Sequence, residues 1–167
     1  MPKIGTTRFN AQSWNENDHW REKNVYAGCI YGVPTQIKQT VAVGDLIFML
    51  EMKNNMNQVG AVGMIKNISC VDKYYNIYSD HNYNRYIYKS IYRITREEIQ
   101  RNPIFSYHEK IMRIFDKILF TGAGHYKRGQ GITFLSDRIA VNKHIDFITF
   151  FKKMFIKKYG HPQELIL

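Results

Sequence analysis

A glycine-rich segment at residues 120–133 carries the most suggestive chemistry in the chain. It reads FTGAGHYKRGQGIT, so its four glycines surround an adjacent Lys127–Arg128 pair. Glycine lets a backbone approach a ligand closely, and Lys and Arg are the usual partners of phosphate. The segment therefore predicts a phosphate-binding loop, with a purely structural loop as the alternative. Because the spacing Gly-x4-Gly-Lys-Ser/Thr is missing, we do not expect nucleotide hydrolysis.

The charge of the chain favours an anionic partner. Its 24 Lys and Arg residues exceed its 14 Asp and Glu residues, which gives a formal net charge of +10. Such an excess is typical of proteins that bind nucleic acid or an anionic membrane surface, with solubility alone as the alternative. No apolar run reaches the roughly 20 residues that cross a bilayer. We therefore predict no membrane span, and nucleic acid, as RNA or single-stranded DNA, as the partner.

The N-terminal part of the chain carries both tryptophans and two tyrosines, at Trp14, Trp20, Tyr26 and Tyr31. Nucleobases stack on such rings at ~1–3 kcal/mol each, so rings beside cations can form a single-strand platform. Core packing is the alternative for any one of them. We expect at least one ring to line a pocket.

Residues 83–94 form a predicted strand with two unlike faces. One face carries Tyr86, Tyr88 and Tyr92, and the other carries Arg85, Lys89 and Arg93. A strand separates alternate residues in this way because its side-chain period is two. The tyrosine face suits either base stacking or a half-exposed sheet, and the basic face suits either phosphates or solvent.

Patterns for catalysis or metal binding are not found. The six histidines are scattered without an HExxH motif, and Cys29 and Cys70 lack metal-ligand spacing. Two cysteines in a chain of this size, with no secretory signal, predict reduced thiols and an intracellular protein, cytoplasmic or nuclear. We expect no metal, no cofactor and no enzymatic activity.

The elements that must position these residues are a mixture of strands and helices. Hydrophobic periodicity predicts strands at residues 8–13, 26–33, 46–52, 59–65, 83–94 and 132–135. It predicts helices at residues 17–24, 95–102, 108–120 and 143–159, the second of which opens with a Thr95–Glu98 capping box. Without repeats or a linker, the simplest architecture is one α+β domain over residues 1–167.

Three segments in this order resemble the PUA-like superfamily, especially its EVE and YTH branches. They are residues 8–20 (RFNAQSWNENDHW), residues 43–48 (VGDLIF) and residues 59–65 (VGAVGMI). The resemblance covers roughly the first 65 residues. It implies a small PUA-like β-barrel wrapped by helices, and it also extends to short basic proteins of large eukaryotic DNA viruses, which would place the chain in a host cell.

The resemblance also implies a function. Such domains typically bind RNA or DNA, and several hold a modified base in an aromatic pocket. Ser13 matches the polar residue at the strand end of the YTH branch, and Tyr26 or Trp20 stands nearest to the tryptophan of its pocket wall. Glu51 and Lys53 are similar only by coincidence to the catalytic pair of some ASCH relatives.

These observations together predict two sets of binding residues. The base pocket would consist of Asn10, Ser13, Trp14, Trp20 and Tyr26, and the phosphate contacts would be Arg85, Lys89, Lys127 and Arg128. The alternative function is a protein-interaction or scaffold module that recognises no base.

Overall fold

The fold is described for residues 1–163 by a computed structural model. Its strands are β1 (Lys3–Phe9), β2 (Cys29–Val33), β3 (Leu46–Lys53), β4 (Gln58–Lys66), β5 (Tyr86–Ser90), β6 (Arg93–Thr95) and β7 (Thr133–Phe134). Its α-helices are α1 (Ala11–Lys23), α2 (Arg96–Arg101), α3 (Ser106–Phe120), α4 (Asp137–Ala140) and α5 (Phe147–Tyr159). Short 3₁₀ turns occupy His81–Asn84 and Pro103–Phe105.

The strands form two hydrogen-bonded sheets. The larger has the order β6-β4-β3-β1-β7, in which β1 runs parallel to β3 and the other neighbours are antiparallel. The smaller is the antiparallel pair β2 and β5. The described strands close no barrel, so the predicted barrel is not confirmed, whereas the mixed α+β fold in one small domain is confirmed.

The central strand β3 is buried on both faces and divides the core in two. Phe48 and Leu50 face a cluster formed with α2, α3 and α5, and Ile47 and Met49 face a second cluster formed with β2 and β5. This alternation follows from the two-residue period of a strand. Each such side chain contributes about 1.5–3 kcal/mol when it is fully buried, so β3 anchors both halves of the domain.

The two sheets approach each other at β4. Between β5 and β6 the chain passes from one sheet to the other, where the amide of Met64 donates to the carbonyl oxygen of Tyr92 at 3.2 Å. At the preceding residue of β4, Gly63, the backbone packs directly against the side chains of Tyr31 and Cys29. A Cβ at this position would overlap both side chains. The glycines of this strand predict a bulge or a sharp barrel corner at Gly60 and Gly63. The bulge is confirmed at Gly60, which the register skips because Glu51 pairs with Ala61 and Met52 pairs with Val59.

The first helix differs most from the sequence prediction. A strand was expected at residues 8–13 and a helix only from residue 17, but β1 ends at Phe9 and α1 begins at Ala11. The reason is local, because Asn10 and Ser13 form a capping box that starts the helix at residue 11 rather than 17. Asn17 is the one residue of α1 classed as buried, so this helix carries no apolar stripe to predict it by. Within residues 1–163, no helix combines the length and apolar character needed to cross a membrane.

Candidate nucleic-acid interface

A cleft of about 340 Å³ lies where the end of β1, the start of α1, residues 78–83 and the glycine-rich loop (residues 121–132) meet. Its volume falls in the range of small-ligand sites. The buried residues that line it are Thr7, Phe9, Gly32, Val33, Tyr78 and Gly131. Asn10, Ser13 and Lys127 also line it, so three of the nine predicted binding residues meet here.

The start of α1 supplies one side of this cleft. Asn10 Oδ1 accepts from the amide of Ser13 at 2.8 Å, and Ser13 Oγ accepts from the amide of Asn10 at 3.0 Å. The two residues therefore fix the helix start and its positive dipole end toward the cleft. The sequence predicts Ser13 or Asn15 as the cap of this helix, whereas the cap is Asn10, with Ser13 as its partner in the capping box.

Arg8 holds the glycine-rich loop on the other side. Its guanidinium donates to the carbonyl oxygens of Gly129 at 3.1 Å, Gly131 at 2.6 Å and Tyr126 at 3.2 Å, and to Thr133 Oγ1 at 3.1 Å. Burial lowers the pKa of Arg8, but a guanidinium stays protonated in proteins. Arg8 is not among the predicted binding residues, because nothing local in the sequence indicates that a strand residue will bind a distant loop.

Lys127 is held at the rim of the cleft. Its Nζ donates to Asn57 Oδ1 at 2.7 Å, and its carbonyl oxygen accepts from Asn54 Nδ2 at 3.1 Å, which fastens the loop to the β3–β4 turn. The neighbouring Arg128 is exposed and does not line the cleft. The loop thus offers two cations close to the cleft mouth, one tethered and one open to solvent.

The α1 side of the cleft, together with the neighbouring residues 79 and 80, is acidic. Glu16 accepts hydrogen bonds from Ser79 through its amide at 3.0 Å and its hydroxyl at 2.9 Å, and from Gln12 Nε2 at 2.8 Å. Burial alone would raise the pKa of Glu16, but these donors outweigh it and hold that pKa below its usual value. Asp80 also lines the cleft, so two carboxylates face the space beside the basic loop.

The aromatic residues of the cleft are ones that the sequence analysis did not select. Tyr78 is buried and its hydroxyl accepts from Asn17 Nδ2 at 2.9 Å. Tyr83 is half-buried and meets Tyr78 edge to face, with ring centroids 6.4 Å apart. Tyr83 is therefore the partly exposed ring of this cleft, and only its place in the fold identifies it.

Trp14 packs beneath α1 and does not line the cleft. Its ring meets Phe9 edge to face at 5.4 Å, and Lys53 Nζ lies 4.6 Å from the ring centroid. The ring also fills the space above Gly60, where a Cβ would meet it. Trp14 is thus a packing residue between α1 and the sheet.

Trp20 and Tyr26 lie at the far end of α1 with Tyr75, a group that we call the second aromatic cluster. Trp20 is 5.9 Å from each of the two tyrosine rings, and Lys89 Nζ lies 5.3 Å from the centroids of both tyrosines. Burial raises the pKa of Tyr75 to about 12. Two predicted pocket residues and one predicted phosphate contact thus meet here, at roughly 15 Å from Asn10 along the helix axis at 1.5 Å per residue.

The remaining predicted cation, Arg85, is exposed and lies over the ring of Tyr86 at 5.8 Å. On the same stretch the two expected faces are not maintained. Tyr88 is buried and Arg93 is buried too, since the chain bends between β5 and β6. The stretch therefore offers no continuous basic or aromatic surface.

Glu51 belongs to a buried polar network. Arg93 donates to its carboxylate through two nitrogens, and the hydroxyl of Tyr31 donates to Glu51 Oε1 at 2.8 Å. Burial would raise the pKa of Glu51, but Arg93 outweighs it and keeps the carboxylate ionised. Lys53 has a different partner, the ring of Trp14, so Glu51 and Lys53 do not face one another as a pair.

No group of three or more His, Cys, Asp and Glu side chains within residues 1–163 could hold a metal ion. Burial raises the pKa of Cys29 to about 11, so this enclosed thiol is protonated at neutral pH. Comparison of the chain with protein-family models, with curated proteins and with solved structures yields no match.

Proposed function

We propose that this protein binds single-stranded nucleic acid, as RNA or single-stranded DNA, and holds one base in the cleft beside α1. The observation that supports this is the meeting of two features far apart in sequence. The capped strand end at Asn10 and Ser13, which resembles the PUA-like superfamily, lines the same cleft as Lys127 of the basic loop.

The chemistry of the cleft supports the same proposal. Its volume suits a base and part of a ribose, and Tyr83 supplies a partly exposed ring on which a base can stack. Lys127, which lines the cleft, and the adjacent exposed Arg128 supply the cations that phosphates of a bound strand need. An EVE- or YTH-like barrel relationship and a modified base as ligand remain part of this proposal, as does an intracellular location.

Titration of labelled single-stranded and duplex oligonucleotides across a salt series tests the proposal. We expect the single strands to bind more tightly, with affinity that falls as salt rises. The double variant K127A/R128A should reduce the salt slope by about 1.4, because each phosphate contact to a single strand contributes about 0.7.

The control K143A/K153A removes two exposed lysines elsewhere and should change neither affinity nor slope. Failure of every oligonucleotide to bind at ~50 mM salt would overturn the proposal in favour of a protein-interaction module. An equal effect of both double variants would remove the glycine-rich loop from it.

A further inference from the structure

The acidic side of the cleft is unusual in a chain with a net charge of +10. Glu16 and Asp80 come from different segments, and each is held in place by the protein. Three hydrogen bonds fix Glu16, and Asp80 Oδ1 accepts from the amide of Asn82 at 3.1 Å. Two oriented carboxylates therefore belong to the wall of the cleft.

Asp80 retains an acceptor for a ligand. Its side chain is exposed, and within residues 1–163 the structure gives its second carboxylate oxygen no hydrogen-bond donor. Glu16 uses both oxygens but can accept further bonds, since an ionised carboxylate offers about four acceptor positions. A ligand that places a hydrogen-bond donor beside Asp80 therefore meets an acceptor that the described residues leave available.

Only some parts of a nucleotide can donate a hydrogen bond to these carboxylates. A phosphate is repelled by a carboxylate, so the backbone belongs on the Lys127 side. The carbonyl oxygen at position 4 of uracil or thymine is an acceptor and is disfavoured there too, and the one donor on that edge, N3–H, lies between two carbonyl oxygens that a carboxylate repels. The exocyclic amino groups of cytosine, adenine and guanine are donors, and Glu and Asp accept from cytosine N4 in known readout.

We propose that Asp80, with Glu16 beside it, accepts a hydrogen bond from the exocyclic amino group of the bound base. The site then takes cytosine, adenine or guanine in preference to uracil or thymine. This inference rests on the proposed function, because it concerns the base held in the same cleft.

Oligo(C) and oligo(U) of equal length test the inference, since the two pyrimidines present an amino group and a carbonyl oxygen at position 4. Fluorescence anisotropy should give about tenfold tighter binding of oligo(C) by the native protein. The variant D80N should lose this preference, because its amide can donate to the carbonyl of uracil. Asn also caps helical turns well, so D80N should fold normally.

The matched control is D137N, which changes a surface aspartate bonded to Lys3. It should keep the preference for oligo(C). Binding of neither oligomer by the native protein would overturn the proposed function and this inference with it. Equal, salt-dependent binding of both would overturn the inference alone, and so would a preference that D80N leaves intact.

Discussion

The guanidinium of Arg93 holds the carboxylate of Glu51 in a bidentate ion pair inside the protein, with distances of 3.0 Å from Nε and 2.8 Å from the terminal nitrogen. Glu51 is 3% exposed and Arg93 is 5% exposed. Glu51 lies in β3 and Arg93 in β6, the outermost strand on that side of the larger sheet. The pair therefore ties the sheet edge to its centre.

We expect Glu51→Gln to lower the free energy of unfolding by about 3 kcal/mol, because it leaves a buried guanidinium without its counter-charge. Chemical denaturation measures this. The matched change Asp137→Asn breaks the exposed pair with Lys3 and should cost under about 1 kcal/mol. Equal losses in the two variants would contradict the special weight given to the buried pair.

We expect the buried His108 to make the folded protein less stable in mild acid. Its side chain is enclosed by Phe105 and Phe150, and burial, together with the positive charge of Lys157, lowers its pKa to about 4. The unfolded chain takes up this proton near pH 6.5, whereas the folded protein takes it up only near pH 4. The stabilising contribution is therefore complete above about pH 6.5 and declines as the pH falls toward 4.

The melting temperature of His108→Phe should change less across this pH window than that of the native protein, since the variant has no such proton to bind. His144 is exposed, and His144→Phe removes a histidine without removing a buried one. That control should keep the native pH dependence. Parallel curves for native protein and His108→Phe would rule out His108 as the source.

We expect the hydrogen bonds of Arg8 to determine how firmly the glycine-rich loop is held. Arg8→Lys keeps the charge but replaces a planar fork by a single ammonium, which cannot reach the same set of acceptors. We expect faster amide hydrogen exchange at residues 126–133 and a loss of about 1–3 kcal/mol in stability. Arg113→Lys, at an exposed site on α3, should leave both unchanged. Unaltered exchange in the loop would show that other contacts hold it.

Substitutions of Tyr83 and Tyr26 test whether the base stacks in the cleft or in the second aromatic cluster. Tyr83→Ala should weaken single-strand binding by about 1–3 kcal/mol, the usual contribution of one stacked base. Tyr83→Phe should bind nearly as well, because stacking needs the ring rather than the hydroxyl. Tyr26→Ala should have little effect, and a larger loss there would move the base site to the second aromatic cluster.

The sequence alone predicts those parts of the fold that have local causes. The apolar runs of β3 and β4 and the Thr95 capping box identify their elements within a residue or two. The sequence predicts too late a start for the polar helix α1, because Asn17 is the only buried residue of that helix and hydrophobic periodicity carries no signal for it.

The candidate site was predictable only in part, for a related reason. Asn10, Ser13 and Lys127 stand out by residue type, yet no local pattern connects them with Tyr83 or Asp80. Those residues reach the cleft through a 3₁₀ turn whose position depends on long-range packing. The aromatic residues selected by type divide instead between core packing and the second aromatic cluster.

The hydrogen bonds between Arg8 and the glycine-rich loop also determine when the cleft is complete during protein synthesis. β1 is made first, but its neighbours in the sheet are β3 and β7. The acceptors of Arg8 lie at residues 126–133, in roughly the last quarter of the chain. An unfinished chain carries the helix start but lacks the opposite wall. Both walls of the cleft are therefore present only once residues 126–133 have been synthesised, so a ligand that contacts both walls cannot assist the folding of a shorter nascent chain.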